Sequence, residues 1–255
     1  LNRVIMPSVS IFQIINISLI ALVLFFLIKY LWSIFFDKNY QPVVWTYKIK
    51  SGEISKELIR LEKNHPDKVR FFNFWFQIER IKKDNIKGAF AELGVYKGET
   101  AKIIHKMDVT RKFLLFDTFE GFTDKDLKFE TGEAATYSTI NFADTNLKKV
   151  KKYINGNDNI IFCKGYFPDT TKGLENEIYS LVNIDADLYN PINDGLKYFY
   201  PRLADGGVII IHDYNYKWEG AIKAIDDFVN NIPENLVPVS DMQSSVMIIK
   251  NKQIL

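Results

Sequence analysis

The sequence predicts an α/β fold: a mostly parallel sheet with helices on both faces, closed at its C-terminal end by an antiparallel hairpin. Two observations predict it. From Lys87 onward, short β-rich runs ("GAFAEL", "KFLLFD", "NIIFCKGYF", "YSLVNIDAD" and "GGVIIIHDY") alternate with helical or mixed segments such as "GETAKIIHKM", "TNLKKVKKYI" and "INDGLKYFYPRL". That alternation indicates parallel strands joined by crossover helices. Near the C-terminus only a short polar turn separates "LVPVSDM" from "SVMIIKN", which suits two antiparallel neighbours.

Upstream of the sheet the chain has a different character. No residue from Val4 to Ile28 is charged, and Ile17 to Ile28 is continuously apolar except for Ser18. About 20 apolar residues span a bilayer core. This run reaches that length if Gln13, Asn16 and Ser18 are tolerated inside or Lys29 snorkels. The bulky "LWSIFFDKNY" offers no cleavage site for a signal peptide. Residues 1–37 are therefore expected to anchor the protein to a membrane. The other readings are a helix buried against a partner subunit and one lying on a membrane surface.

Residues 38–86 are expected to form a helical cap or connector. Ile54, Leu58 and Leu61 recur at helical spacing, and "VRFFNFWFQIERIKK" reads as a second helix whose aromatic face suits a core. Whether these helices cover the sheet or make a homo-oligomer contact is open from pattern alone. Residues 87–255 hold the main domain. Within it, Phe122 to Thr145 is long and polar for a connection, as lids and substrate-binding inserts are.

Composition narrows the function classes. The 255-residue chain has a formal charge of +2, so no nucleic-acid partner is expected from charge. Its single cysteine, Cys163, excludes an internal disulfide and a cysteine-based zinc site. Lying in an apolar run, it reads as a core thiol. His65, beside Pro66, reads as a loop residue, and His105 as an ordinary residue of the helix after the first strand.

In open parallel sheets ligands bind beyond the carboxyl ends of the strands. The first strand ends in "AELGVYKGETA", where Gly94 and Gly98 permit a sharp turn before a helix starting near Glu99. The spacing Glu92-x-Gly94-x-x-x-Gly98 lacks the third glycine of a dinucleotide fingerprint, which disfavours an NAD-dependent dehydrogenase. It matches the acidic-glycine motif of S-adenosylmethionine enzymes, unless the glycines are turn formers only. The second strand ends at Asp117, about twenty residues on, where a carboxylate binds ribose hydroxyls; capping its own turn is the alternative. The fourth strand ends with Asp185 and Asp187, placed on one face by the period of two. The fifth ends with His212 and Asp213. Carboxylates and one imidazole at neighbouring strand ends suit magnesium or manganese. The alternative has the acids capping helices and His212 satisfied by a backbone carbonyl.

Taken together, "FAELGVYKGETA", "LLFDTFEGF", "GYFPDT", "NIDADLYNP", "YPRLADGGVIIIHDY" and "WEGAIKAIDDF" resemble the macrocin O-methyltransferase (TylF-like) family over about Lys87 to Lys250. The resemblance implies a Rossmann-like class I methyltransferase sheet and S-adenosyl-L-methionine as cofactor. It also implies methyl transfer to a hydroxyl of a sugar or glycoconjugate with metal assistance. By it Asp187 is the general base, and Asp185, His212 and Asp213 hold Mg2+ or Mn2+. The family often has two acids where this chain has His212 and Asp213. Expected cofactor contacts are Glu92, Gly94, Tyr96, Gly98, Glu99, Thr100, Asp117, Thr118, Phe119, Gly165 and Phe167. Tyr214 and Trp218 are candidate walls of the acceptor pocket. Two rival functions stay open: a methyltransferase for a phenolic or catechol-like acceptor, and a non-catalytic membrane-tethered protein that binds a nucleoside or glycan. The main domain is expected on the cytoplasmic side.

Overall fold

A computed structural model describes residues 10–36, 40–128 and 130–252. The expected anchor segment thus lies partly outside the described residues, at 1–9 and Asp37. The chain divides into two compact units, Leu1–Thr46 and Tyr47–Leu255. In the first, helix α1 (Ile11–Phe36) is apolar all round. From Ile11 to Ser33 every side chain is exposed except that of Asn16, which is half-buried. Helix α2 (Val43–Lys50) follows.

The second unit, which begins within α2, continues with α3 (Lys56–Asn64) and α4 (Lys68–Lys83). Ser55 and Asp67 cap them, accepting hydrogen bonds from the Leu58 and Arg70 backbone N–H groups. Both helices pack against α5 (Glu99–Met107). Helices α3 and α4 belong to the same compact unit as the sheet.

The strands are β1 (Ala89–Leu93), β2 (Phe113–Asp117), β3 (Ile160–Lys164), β4 (Tyr179–Ile184), β5 (Leu203–Ile211), β6 (Val237–Pro238) and β7 (Val246–Ile249). They form one sheet in the order β3-β2-β1-β4-β5-β7-β6. The first five are mutually parallel, and β7 runs antiparallel to β5 and β6, as the sequence led us to expect. The connections hold α6 (Asp124–Leu127), α7 (Leu147–Ile154), α8 (Tyr189–Phe199) and α9 (Glu219–Val229).

Strand alternation sorts the sheet's two faces. Ala89, Ala91, Leu93, Leu114, Phe116, Val182 and Ile184 share a buried cluster with Leu196 and Phe199 of α8 and Ile225 of α9. The intervening residues, Glu92 and Asn183 among them, turn to the other side, where α4 packs on β4 and β5. That parity puts a buried carboxylate under α4.

Gly94 fixes how closely β1 and β4 approach. Its φ is +86°, and an added Cβ would lie 1.9 Å from the Asp185 carbonyl oxygen. Backbone cannot swing away as a side chain can. Gly94→Ala should lower the thermal midpoint by several degrees or more, since strain plus overpacking costs about 2–4 kcal/mol. Gly52→Ala, with similar φ but nothing within 4 Å, should cost about 1 kcal/mol. Equal melting curves would contradict this account.

His65 ends α3 and packs against the Phe71 ring. Burial, then the nearby Arg70 charge, lowers its pKa to about 4. The unfolded chain therefore takes up the proton more readily. The neutral ring's contribution is complete above about pH 6.5 and is lost as pH falls toward 4. His65→Gln should flatten the stability-versus-pH slope in that window; an unchanged slope in urea titrations would refute the assignment.

Candidate active site

The strand register assembles the site. Leu93 pairs with Ile184, and Ile184 with Ile211, so β1, β4 and β5 end level. The Asp185 N–H donates to the Leu93 carbonyl at 2.8 Å, and the His212 N–H to that of Ile184 at 2.9 Å. Asp185 and His212 thus leave the sheet side by side. Asp187 and Asp213 follow with φ of +60° and +63°. Side chains other than glycine rarely adopt that conformation, and it concentrates at functional sites. The period-of-two argument for Asp185 and Asp187 is corrected here: β4 ends at Ile184, and a turn, not strand alternation, brings Asp187 to the site.

These groups border a cleft of about 610 Å³, within the usual range for a small-molecule site. His212 Nδ1 lies 3.0 Å from Asp185 Oδ1 and 2.9 Å from Asp213 Oδ2. The other Asp185 oxygen accepts a 2.7 Å hydrogen bond from Arg70 Nη2 of α4. Burial alone would raise the Asp185 pKa, but Arg70 and His212 outweigh it and hold the carboxylate well below its ordinary range. Burial likewise lowers the His212 pKa, and Asp185 and Asp213 more than reverse this, raising it to about 9. Asp187 goes the other way: burial, then the Asp213 and Asp185 charges, push its carboxyl far up. A carboxyl poised upward is a stronger base once ionised.

The donor set fits a divalent cation. Two carboxylate oxygens and one imidazole nitrogen, from Asp185, Asp213 and His212, lie within 4.8 Å of one another. Nδ1 is buried, yet neither oxygen aligns with it well enough for a hydrogen bond. As a ligand His212 would have to release its proton.

Of the expected cofactor contacts, Glu92, Gly94, Tyr96, Glu99 and Thr100 border the cleft, as do Asp117, Thr118, Gly165 and Phe167. Three of them also have partners within the protein. Glu92 is buried, accepts a 2.9 Å hydrogen bond from Asn183 Nδ2, and leaves Oε2 without a partner. Burial, then the Asp185 charge, pushes its carboxyl up. Asp117 accepts from the N–H groups of Val95 (2.6 Å), Tyr96 (2.8 Å) and Phe119 (2.5 Å). It shapes the glycine turn itself, with one of roughly four lone-pair positions left over. Phe167 packs in the core between Phe116 and Phe199.

Three expected residues lie away from the cleft. Gly98 begins α5 at φ +82° and faces Val150 and Ile154 of α7. Phe119, at φ +55°, turns its ring onto Phe162. The Tyr214 hydroxyl donates to Asp226 on α9 at 2.7 Å. Trp218 does border the cleft, and Tyr137 of the polar insert stacks on it at 5.3 Å. The Tyr96 hydroxyl reaches that insert through Asp144 at 2.6 Å. Sequence reasoning missed Arg70 and Tyr137. Arg70 carried a readable signal: with Phe74, Gln77 and Ile81 it falls on one stripe of α4.

The macrocin O-methyltransferase (TylF) family model matches residues 66–245. The chain belongs to this family. A curated relative from Streptomyces olivaceus, 8-demethyl-8-(2,3-dimethoxy-alpha-L-rhamnosyl)-tetracenomycin-C 4'-O-methyltransferase, is 26% identical over 176 residues, 64% of each chain. Mycinamicin III 3''-O-methyltransferase from Micromonospora griseorubida is 29% identical over 158 residues, 57% of this chain and 62% of the relative. The chain thus spans just under two thirds of the length of these relatives. Among solved structures, the O-methyltransferase NovP superposes with a TM-score of 0.64 at 20% identity, covering 72% of this chain and 81% of its own. That likeness establishes the class I methyltransferase fold.

Asp117→Asn should destabilise the ligand-free protein by about 1–3 kcal/mol, because an amide cannot accept all three N–H groups. An unchanged melting curve without ligand would show that Asp117 serves only a bound molecule.

Proposed function

We propose that this protein is an S-adenosylmethionine-dependent O-methyltransferase acting on a sugar hydroxyl, held at a membrane by α1. The observation that carries the reading is the convergence of Asp185, Asp187, His212 and Asp213 on a cleft bordered by the glycine turn. One relative is named for 4'-O-methylation of a rhamnosyl-bearing tetracenomycin and another for 3''-O-methylation of mycinamicin III. S-adenosylmethionine supplies the methyl group as a sulfonium. Asp187 would accept the hydroxyl proton as the acceptor oxygen takes the methyl group, with S-adenosylhomocysteine as the departing product. Asp185, His212 and Asp213 would hold magnesium or manganese, whose chemistry is to acidify and orient a hydroxyl. The cleft brings donor and acceptor together, an effect worth about 7 kcal/mol or more of barrier in well-oriented reactions. A phenolic acceptor would favour a slot between aromatic faces. Tyr137 and Trp218 stack on each other instead, which favours a saturated ring.

Helix α1 supports the membrane reading. Its 23 residues Ile11–Ser33 are long and apolar enough to cross a bilayer. Tyr30 and Trp32 sit near one end, as interfacial aromatics do, and Lys38, Lys48 and Lys50 follow, the bias of a cytoplasmic flank.

Asp187→Asn should lower turnover by about 10²-fold or more while S-adenosylhomocysteine affinity by calorimetry stays within about threefold. Parallel loss of both would make Asp187 structural. The full chain should stay with the membrane pellet after alkaline carbonate extraction; its release would overturn the anchor.

A further inference from the structure

S-adenosylmethionine has three groups on its sulfur: the methyl, the ribose carbon and an amino-acid tail carrying a carboxylate and an ammonium. On the cofactor reading, a nucleoside over the tips of β1 and β2 with its methyl directed at Asp187 would leave the tail facing the tips of β1 and β4, where Arg70, Glu92 and Asp185 line the cleft. The cleft is rich in carboxylates there, so a tail carboxylate needs a cation. Among the described residues bordering the cleft, Lys97 is committed to Asp144 at 2.6 Å, Lys217 is exposed at the rim, and His212 lies between two acids. Arg70 is different. Its side chain is 12% exposed, Nη2 is bound to Asp185, and the guanidinium lies 5.7 Å from the Phe74 ring. Its Nε–H is buried without a partner. On the same side of the sheet, Glu92 Oε2 is buried and also lacks one.

We propose that Arg70 binds the carboxylate of the cofactor's amino-acid tail through its unpartnered Nε–H. This rests on the cofactor reading given above. A planar guanidinium can serve two carboxylates from adjacent edges. Arg70 therefore touches the tail and Asp185 at once. It joins cofactor binding to the acceptor site through a helix that precedes the sheet in the chain.

The test compares S-adenosylhomocysteine, which has the tail, with 5'-methylthioadenosine, which lacks it. Calorimetry on the full chain in detergent uses the wild type, Arg70→Met and Arg70→Lys. The wild type should prefer S-adenosylhomocysteine. In Arg70→Met that affinity should fall about 10- to 100-fold, the range for a charge-assisted hydrogen bond, while methylthioadenosine binding is unchanged. Arg70→Lys keeps the charge without the fork, and its preference should fall severalfold. If Arg70→Met does not fold, the lysine variant decides alone. A wild-type preference ratio in either folded variant, or equal loss for both ligands, overturns the proposal. Failure of the wild type to bind either nucleoside would instead defeat the cofactor reading, and the inference with it.

Discussion

The site depends on the carboxylate of Asp185, held between Arg70 and His212 where three strands end level. Buried acids are unstable without counter-charges. Here the counter-charges come from two directions: an arginine from α4, laid over one face of the sheet, and an imidazole from the next strand tip. Asp185 stays ionised beside them, whereas burial and the neighbouring Asp213 push Asp187 toward its neutral form. Two carboxyls two residues apart thus acquire opposite tendencies, which suits one to hold charge and the other to move a proton.

Everything upstream serves to bring those tips together. Parallel pairing of β1, β4 and β5 sets their ends level, and Gly94 allows the β1 turn to lie directly on the Asp185 carbonyl. The left-handed backbone at Asp187 and Asp213 then turns both acids out of the sheet line. The insert adds a wall: Glu130 accepts from the Tyr189 N–H at the start of α8, and the Thr131 hydroxyl donates to Glu219 at the start of α9. Two short polar contacts fasten it where Tyr137 meets Trp218.

Much of this was legible in the sequence, for identifiable reasons. The central strands are buried on both faces, so they read as continuous apolar runs whose polar ends mark the site. The C-terminal hairpin was legible from its short turn. What was not legible depended on tertiary geometry. Strand alternation stops at Ile184, so the pattern could not give the turn that delivers Asp187. Asp117 read equally well as ligand group or turn cap, and the backbone donors of Val95, Tyr96 and Phe119 show how far it is the second. Phe119 and Tyr214 sat beside motif residues but turn to Phe162 and Asp226. Arg70 looked like one polar residue in an aromatic helix; only the docking of α4 over β4 and β5 gives it a partner 115 residues away.

The central claim is that these strand tips deliver a methyl group to a sugar oxygen. The most direct measurement supplies the protein with trideuteromethyl-labelled S-adenosylmethionine and membrane glycolipid, then locates the label by mass spectrometry of the released sugars. The account predicts one labelled methyl ether on a ring hydroxyl, stable to base. Label on nitrogen, on a base-labile carboxyl ester or on a phenol would contradict it.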